Sequence, residues 1–314
     1  MSAFNNTIDK PGIYNLQPED YHADPCPQPA LSSSCAKLLD KQAPIHAYYA
    51  HPRLGMGDSD NSRLMDFGSL CHAKLLGVGE WRVLPYNDYR KKAAQEDRDQ
   101  AYGENIIPVL EKDDKRSGAV INALRKQLVN HHDAGDAFVG GQAEQTLIWY
   151  EEDYDIWCRA LVDHVAQANW LEDYKTTEGG ADPDTWQKRL FNDGNDIQAA
   201  FYLRGWKKLT GEDRYFRFIV QEVRQAPYCA SVIAPDEHAL QQANEKVEAA
   251  MQLWADCLHN DIWPGYPAHT CWVSPPAFAD KAHEDRQMRN QIAQQDGHKL
   301  KDLMLKMQAP LEDA

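Results

Sequence analysis

The stretch Ile156-Trp-Cys-Arg-Ala-Leu-Val-Asp-His-Val165 is apolar and rich in β-formers, Gln167-Ala-Asn169 reads as a turn, and Trp170 to Thr176 reads as a second strand. A hairpin here constrains the chain more than any other feature, because it places Asp163, Asp173 and Lys175 at the ends of two adjoining strands. Side chains alternate across a strand, so Asp173 and Lys175 project from one face while Tyr174 points to the other, and Asp163 arrives from the neighbouring strand. Two carboxylates and a lysine so arranged suit cleavage of a phosphodiester. Hard divalent cations such as Mg²⁺ take oxygen ligands from clustered carboxylates, and a lysine supplies fixed positive charge beside the attacking water or the developing negative charge.

Around the hairpin, strands are expected near residues 144–150, 215–224 and 228–234, with helices near 183–192 and 196–210 packed against them. That order gives an α/β (α+β) layered domain, a mixed central sheet flanked by helices, with its core at about 144–235 and a helical elaboration ahead of it. The first 60 residues read as extended with one short helix started by Ser32-Ser-Ser34, and Gly55 to Ser62 reads as a mobile loop. Residues 88–131 are charged and helical, interrupted by Ile106-Ile-Pro108, and form an arm flanking the substrate groove. A long helix is expected from about 236 to 259. Another, near 281–307, is polar with a thin apolar stripe of Ile292, Leu300, Leu303 and Met304, an ordinary surface helix or a docking element. The division is 1–279 for the main domain and 280–314 for a polar helical tail.

Two further spacings belong with the hairpin. Gln198-Ala-Ala-Phe-Tyr202 and Gly68-Ser-Leu-Cys-His72 each place two residues four apart on one helical face, able to reach one point in space. With Asp163 and Asp173-Tyr-Lys175, the order His72, Glu144, Asp163, Asp173, Lys175, Gln198, Tyr202 resembles the RecB-like branch of the PD-(D/E)XK nucleases, with Asp at 173 where many members carry Glu. Pro11-Gly-Ile-Tyr14, Glu19-Asp-Tyr-His22-Ala-Asp-Pro25, Leu31-Ser-Ser-Ser34 and His51-Pro-Arg-Leu54 look more narrowly like the exodeoxyribonuclease VIII (RecE-type) domain of phages and prophages. This resemblance spans about residues 11 to 275.

The resemblance implies a restriction-endonuclease-like core and roles for its residues. Asp163 and Asp173 would be metal ligands, with the backbone carbonyl of Tyr174 a third oxygen and His72 a nitrogen ligand. Mg²⁺ is the implied cofactor, and the nitrogen ligand makes Mn²⁺ a substitute. Lys175 would orient or help deprotonate the water, with Gln198 and Tyr202 behind it holding Lys175 or a phosphate oxygen. Glu144 either binds a cation through water or only opens a strand. The cysteine trio that carries an iron-sulfur cluster in some RecB-like nucleases is missing, so no cluster is expected.

Composition narrows the setting. The 314-residue chain, 43% hydrophobic with nine tryptophans, is long enough for one large core. No run of about 18 apolar residues exists and the N-terminus does not read as a signal peptide. Seven scattered cysteines without a C-x-x-C pair suggest reduced thiols. A cytoplasmic protein without membrane contact is expected, and the resemblance implies a phage or prophage gene in a bacterial host cell. The formal net charge of −15 is discordant with an open basic DNA-binding surface. Affinity must then be local, from bound cations and an enclosed channel. Arg90, Lys91, Lys92, Arg159, Lys188 and Arg189 are the candidate phosphate contacts, each with a solvated face as its plainer reading. Arg204, Lys207 and Lys208 lie on a different face from Gln198 and read as surface or subunit-contact residues.

The resulting expectation is a Mg²⁺-dependent exodeoxyribonuclease that degrades linear double-stranded DNA from its ends. By resemblance it would run 5′ to 3′, leave 3′ single-stranded tails, form a ring-shaped homo-oligomer (a tetramer), and serve a single-strand annealing recombinase in phage recombination. The alternatives are an endonuclease on the same core and a catalytically inactive DNA-binding or assembly module.

Overall fold

In the computed structural model, residues 7–55 and 66–308 are described. The chain divides into two units, Met1–Gly265 and Tyr266–Ala314. The first unit begins with β1 (Gly12–Tyr14), α1 (Pro18–His22), β2 (Leu31–Ser32), α2 (Ser33–Lys41) and α3 (Pro44–Ala50). It continues through α4 (Asp66–Leu76), β3 (Trp81–Leu84), α5 (Lys92–Gly103), β4 (Ile107–Leu110) and α6 (Glu111–Val129). The central elements are β5 (Gln142–Glu151), β6 (Ile156–Val165), β7 (Trp170–Thr177), α7 (Pro183–Asn192), α8 (Asn195–Thr210), β8 (Tyr215–Glu222), β9 (Ala230–Ile233) and α9 (Glu237–Asn260). The second unit holds α10 (Ala277–Gln308).

Local chemistry starts these helices. The Ser32 hydroxyl caps α2 by accepting from Cys35 N at 3.3 Å, Asp182 caps α7 from Thr185 N at 2.9 Å, and Asp236 caps α9 from Ala239 N at 2.8 Å. Pro18, Pro44 and Pro183 stand in first turns, where a missing N–H costs nothing. Gly194 and Gly211 bracket α8 in the left-handed region, at φ 67° and 75°.

The main sheet is mixed, in the order β1-β5-β6-β7-β8-β9 with β2 attached to β6. The β7–β8 and β2–β6 pairs are parallel and the rest antiparallel. Alternation along β8 shows how both faces are filled: Phe216, Phe218 and Val220 join a cluster with Trp186, Phe201 and Met251 of α7, α8 and α9, while Ile219 joins Cys71 of α4 and Leu124 of α6. Helices therefore cover both faces of the sheet.

The N-terminal region differs from the sequence expectation. Among the described residues it is not mainly extended with one helix but holds three short helices, of 5, 9 and 7 residues, two of them opened by prolines. The interruption at Ile106-Ile-Pro108 is strand β4, paired in parallel with the unexpected β3 in a small second sheet. Most of the expected Gly55–Ser62 loop lies outside the described residues. Among the described residues, no helix is long and apolar enough to cross a membrane.

Candidate active site

The site forms where two strands part. β6 and β7 pair through His164↔Glu172 and Val165↔Leu171 and then diverge, while β7 stays paired with β8 along its whole length. The opening is pinned by the N–H of Tyr174, which donates to Asp163 Oδ2 at 2.9 Å. Asp163 and Asp173 thus meet across the fork. Tyr174 points away, its hydroxyl donating to buried Gln221 at 2.7 Å, and Asp173 and Lys175 point together toward α8.

Two helices complete the cluster from opposite sides. On α8, Gln198 donates from Nε2 to Asp173 and accepts from Lys175 Nζ at 3.3 Å, so one amide fixes both side chains. On α4, His72 Nε2 lies 2.9 Å from Asp163 Oδ2 and its Nδ1 3.6 Å from Glu144 Oε1. Gly68, one turn earlier, explains the approach: a Cβ there would stand 3.0 Å from Thr176 Oγ1, so its absence lets α4 lie against β7. Glu144 holds φ at 47°, left-handed within a strand, and the β5–β6 pairing skips it. Left-handed non-glycine residues cluster at functional sites, although six others occur elsewhere among the described residues.

The charges are strongly coupled. Burial alone would lower the His72 pKa, but the Asp163 charge and hydrogen bond, with Glu144 and Asp173, raise it to about 9. Asp163 is the converse case: burial works to raise it, yet His72, Lys175 and the Tyr174 N–H hold it below the usual carboxylate range. Asp173 is pushed up by burial and by the Asp163 charge, against the opposing pull of Lys175. The Lys175 pKa is raised, since the attraction of Asp173 and Asp163 outweighs its burial. The carboxylates thus favour the ammonium form of Lys175, able to hold water or a phosphate oxygen.

Beside the fork lies a cleft of about 1210 Å³, lined among others by His72, Arg116, Glu144, Tyr174, Lys175 and Arg224. That exceeds the usual pocket for a small ligand, roughly 300–1,000 Å³, and suits a polymer.

The sequence-predicted residues fare unequally. Asp163, Asp173, Lys175, Gln198, His72 and Glu144 converge. Tyr202 is buried under α2, where its hydroxyl meets the Ser33 side chain, and it makes no hydrogen bond to Lys175 among the described residues. Arg159 is a correction: it is no DNA contact but a buried strut, donating to the Tyr21 carbonyl at 2.7 Å and standing 3.3 Å from buried Asp24. The N-terminal segment covers that position of β6, which the charge of the residue alone did not reveal. Arg189 donates to Thr177 Oγ1 at 2.7 Å and pairs with Asp193, and Arg90, Lys91, Lys92 and Lys188 are exposed. Arg204 is a half-buried tie to Glu151 at 2.7 Å, and Lys207 and Lys208 pair with Asp213 and Glu152.

One residue was missed. Lys37 of α2 donates to Gln198 Oε1 at 3.0 Å, on the same oxygen that Lys175 uses. Burial, followed by the charge of Lys175, pushes its pKa down to about 8. Its only signal in the sequence is a lysine amid the apolar residues Cys35, Ala36, Leu38 and Leu39.

The donor set suits a divalent cation. Asp173 Oδ1 is buried, meets the Lys175 ammonium at 2.7 Å without a well-aligned hydrogen bond, and lies across the fork from the second carboxylate. Among the described residues, no three His, Cys, Asp or Glu side chains already form a metal cage. His72 and Lys175 instead neutralise the carboxylates.

Fold and site together define a PD-(D/E)XK-type domain: a mixed sheet between helices with the acidic-lysine set at a strand fork. The chain belongs to the family described as a PDDEXK-like domain of unknown function (DUF3799), whose model matches residues 32–273. No curated protein matches the chain. Among solved structures, a protein of Eubacterium rectale described as a candidate exonuclease is similar in fold, with a TM-score of 0.56 at 14% identity, over 85% of this chain and 98% of that one. Another, described as SSO0001, is 11% identical over 61% of this chain and 86% of its own, with a TM-score of 0.26.

Proposed function

We propose that the protein is a divalent-metal-dependent exodeoxyribonuclease that degrades linear duplex DNA from its ends. The carrying observation is the convergence of Asp163, Asp173, Lys175 and Gln198 at a strand fork that opens on a cleft large enough for a polymer. A bound cation would be held by Asp163 and Asp173, with His72 and the Tyr174 carbonyl as further donors, and would polarise the phosphate and its attacking water. Mg²⁺ is the natural occupant of carboxylate oxygens, and the imidazole suits Mn²⁺.

The chain's own residues do the rest. Lys175, a cation held by Asp173 and Gln198, orients the water and offsets the negative charge that develops on the phosphate. Gln198 fixes the lysine and the carboxylate relative to each other. The Eubacterium rectale neighbour, described as a candidate exonuclease, supports the end-directed reading. The 5′ to 3′ direction, a ring of subunits, and service to an annealing recombinase in phage recombination are part of the same proposal and rest on the sequence resemblance.

The test is incubation with 5′-labelled and 3′-labelled linear duplex, beside closed circular DNA, with Mg²⁺, with Mn²⁺ and with chelator. Early release of the 5′ label with circles spared and chelator inhibiting is the expected result. Cut circles would make the protein an endonuclease, and absence of cleavage with either metal would make it a binding module.

A further inference from the structure

Lys37 lies on α2, 161 positions before Gln198, yet its ammonium reaches the amide that organises Asp173 and Lys175. Its path is built. Gly194, at the start of α8, lacks the Cβ that would stand 2.9 Å from Lys37 Cγ and 3.3 Å from Cδ, so the lysine stem lies along a bare stretch of backbone. Gln198 is one turn further on, its N–H bonded to the Gly194 carbonyl at 3.2 Å. Lys41, one turn later on α2, donates to the carbonyls of Phe191 and Asn192 at the end of α7 and so fixes the seat of α2.

Lys37 feels the charges of Asp173 and Asp196 without a direct ion pair to either. Among the described residues it makes no ion pair, and the nearby carboxylates are taken: Asp173 by Lys175 at 2.7 Å, Asp196 by Lys246 at 2.6 Å. A part-buried cation whose hydrogen bond, the only one among the described residues, goes to a neutral oxygen is favoured by a further anion that reaches it. Two ammonium groups share one neutral acceptor at the fork, and one of them, Lys175, lines the cleft. A phosphate supplies both the charge and the acceptor oxygens that such a pair lacks.

We infer that Lys37 binds a phosphate of the DNA strand entering the site, forming with Lys175 a two-lysine clamp hinged on Gln198. The inference rests on the nuclease reading for its substrate, but not for its test. Duplex DNA binding is measured by fluorescence anisotropy in chelator, across a fourfold range of monovalent salt starting at low salt, for the wild type, Lys37→Met and Lys37→Arg. Lys37→Met keeps the stem against Gly194 and removes the charge, and thermal melting confirms that each variant is folded. Loss of one phosphate contact lowers the slope of log K against log salt by about 0.9, so the wild-type advantage over Lys37→Met shrinks roughly threefold across the range. Lys37→Arg restores the wild-type slope. A lysine that merely steadied Gln198 would change affinity without changing the slope. Equal slopes for wild type and Lys37→Met, or no duplex binding by the wild type at the lowest salt, would overturn the inference. Mg²⁺-dependent cleavage by the same wild-type preparation is scored separately: a slope difference without cleavage keeps the clamp and removes the nuclease.

Discussion

At the scale of single residues, the site is a set of internally neutralised charges, and the partners of each group decide its role. Lys175 sits 2.7 Å from Asp173 and shares Gln198 with it, so Lys175→Ala removes the positive charge beside the reacting phosphate while leaving the sheet intact. A loss of about 10²–10³-fold in cleavage rate is expected with an unchanged circular dichroism spectrum. Retained activity would remove Lys175 from the mechanism. His72 yields a pH prediction for the metal-free protein. Its folded pKa, about 9, stands above the unfolded value of roughly 6.5, so its pairing with Asp163 stabilises the fold fully below the unfolded value and is lost as pH rises through about 9. Asp163, held below the ordinary carboxylate range, loses its own share only as pH falls through its folded pKa, below that range. In chelator, the melting temperature of His72→Gln should therefore trail the wild type most near pH 6 and converge with it above pH 9. A gap that does not vary with pH would show that the imidazolium ion pair contributes nothing.

At the scale of elements, bare glycine surfaces let helices come close enough to deliver side chains. Gly205 faces Trp149 so closely that a Cβ would stand 2.7 Å from its ring, and this contact seats α8, the helix that carries Gln198, on β5. Gly205→Ala gains about 1 kcal/mol of helix propensity but overpacks a buried aromatic at a cost of about 1–3 kcal/mol. A lower melting temperature is expected from calorimetry, and an unchanged or higher one would mean that the ring moves aside freely. Elements with long periodic patterns were legible in the sequence. β5 to β7 and α7 to α9 lie within about two residues of the expected bounds, because strands of 8 to 10 residues and helices of 10 to 24 repeat their pattern often enough to be read. Helices of 5 and 7 residues, such as α1 and α3, complete too few turns to show a period and are held by packing. The same limit explains Lys37 and Arg159. Gln198 and Tyr202 announce themselves by spacing on one helix, whereas Lys37 meets Gln198, and Arg159 meets Asp24, only after distant segments have been brought together.

At the scale of the whole molecule, the charge of −15 and the cationic pair at the fork act over different distances. At low ionic strength the Debye length is about 30 Å at 0.01 M, so an approaching duplex meets the field of the whole acidic surface and is repelled. At about 0.15 M the length falls to roughly 8 Å, and only local groups such as Arg116, Lys175 and Arg224 are felt once the duplex is in the cleft. Association and dissociation should therefore respond to salt in an unusual combination. For a basic DNA-binding protein, added salt slows association; here the association rate should hold steady or rise as long-range repulsion is screened, while dissociation accelerates as the phosphate contacts weaken. Stopped-flow fluorescence with labelled duplex in chelator, across that range of ionic strength, separates the two rates. A steep fall in the association rate with salt would mean that the few cationic groups of the cleft, Arg116, Lys175 and Arg224, act beyond the acidic surface, and that DNA is drawn in by steering rather than captured on contact.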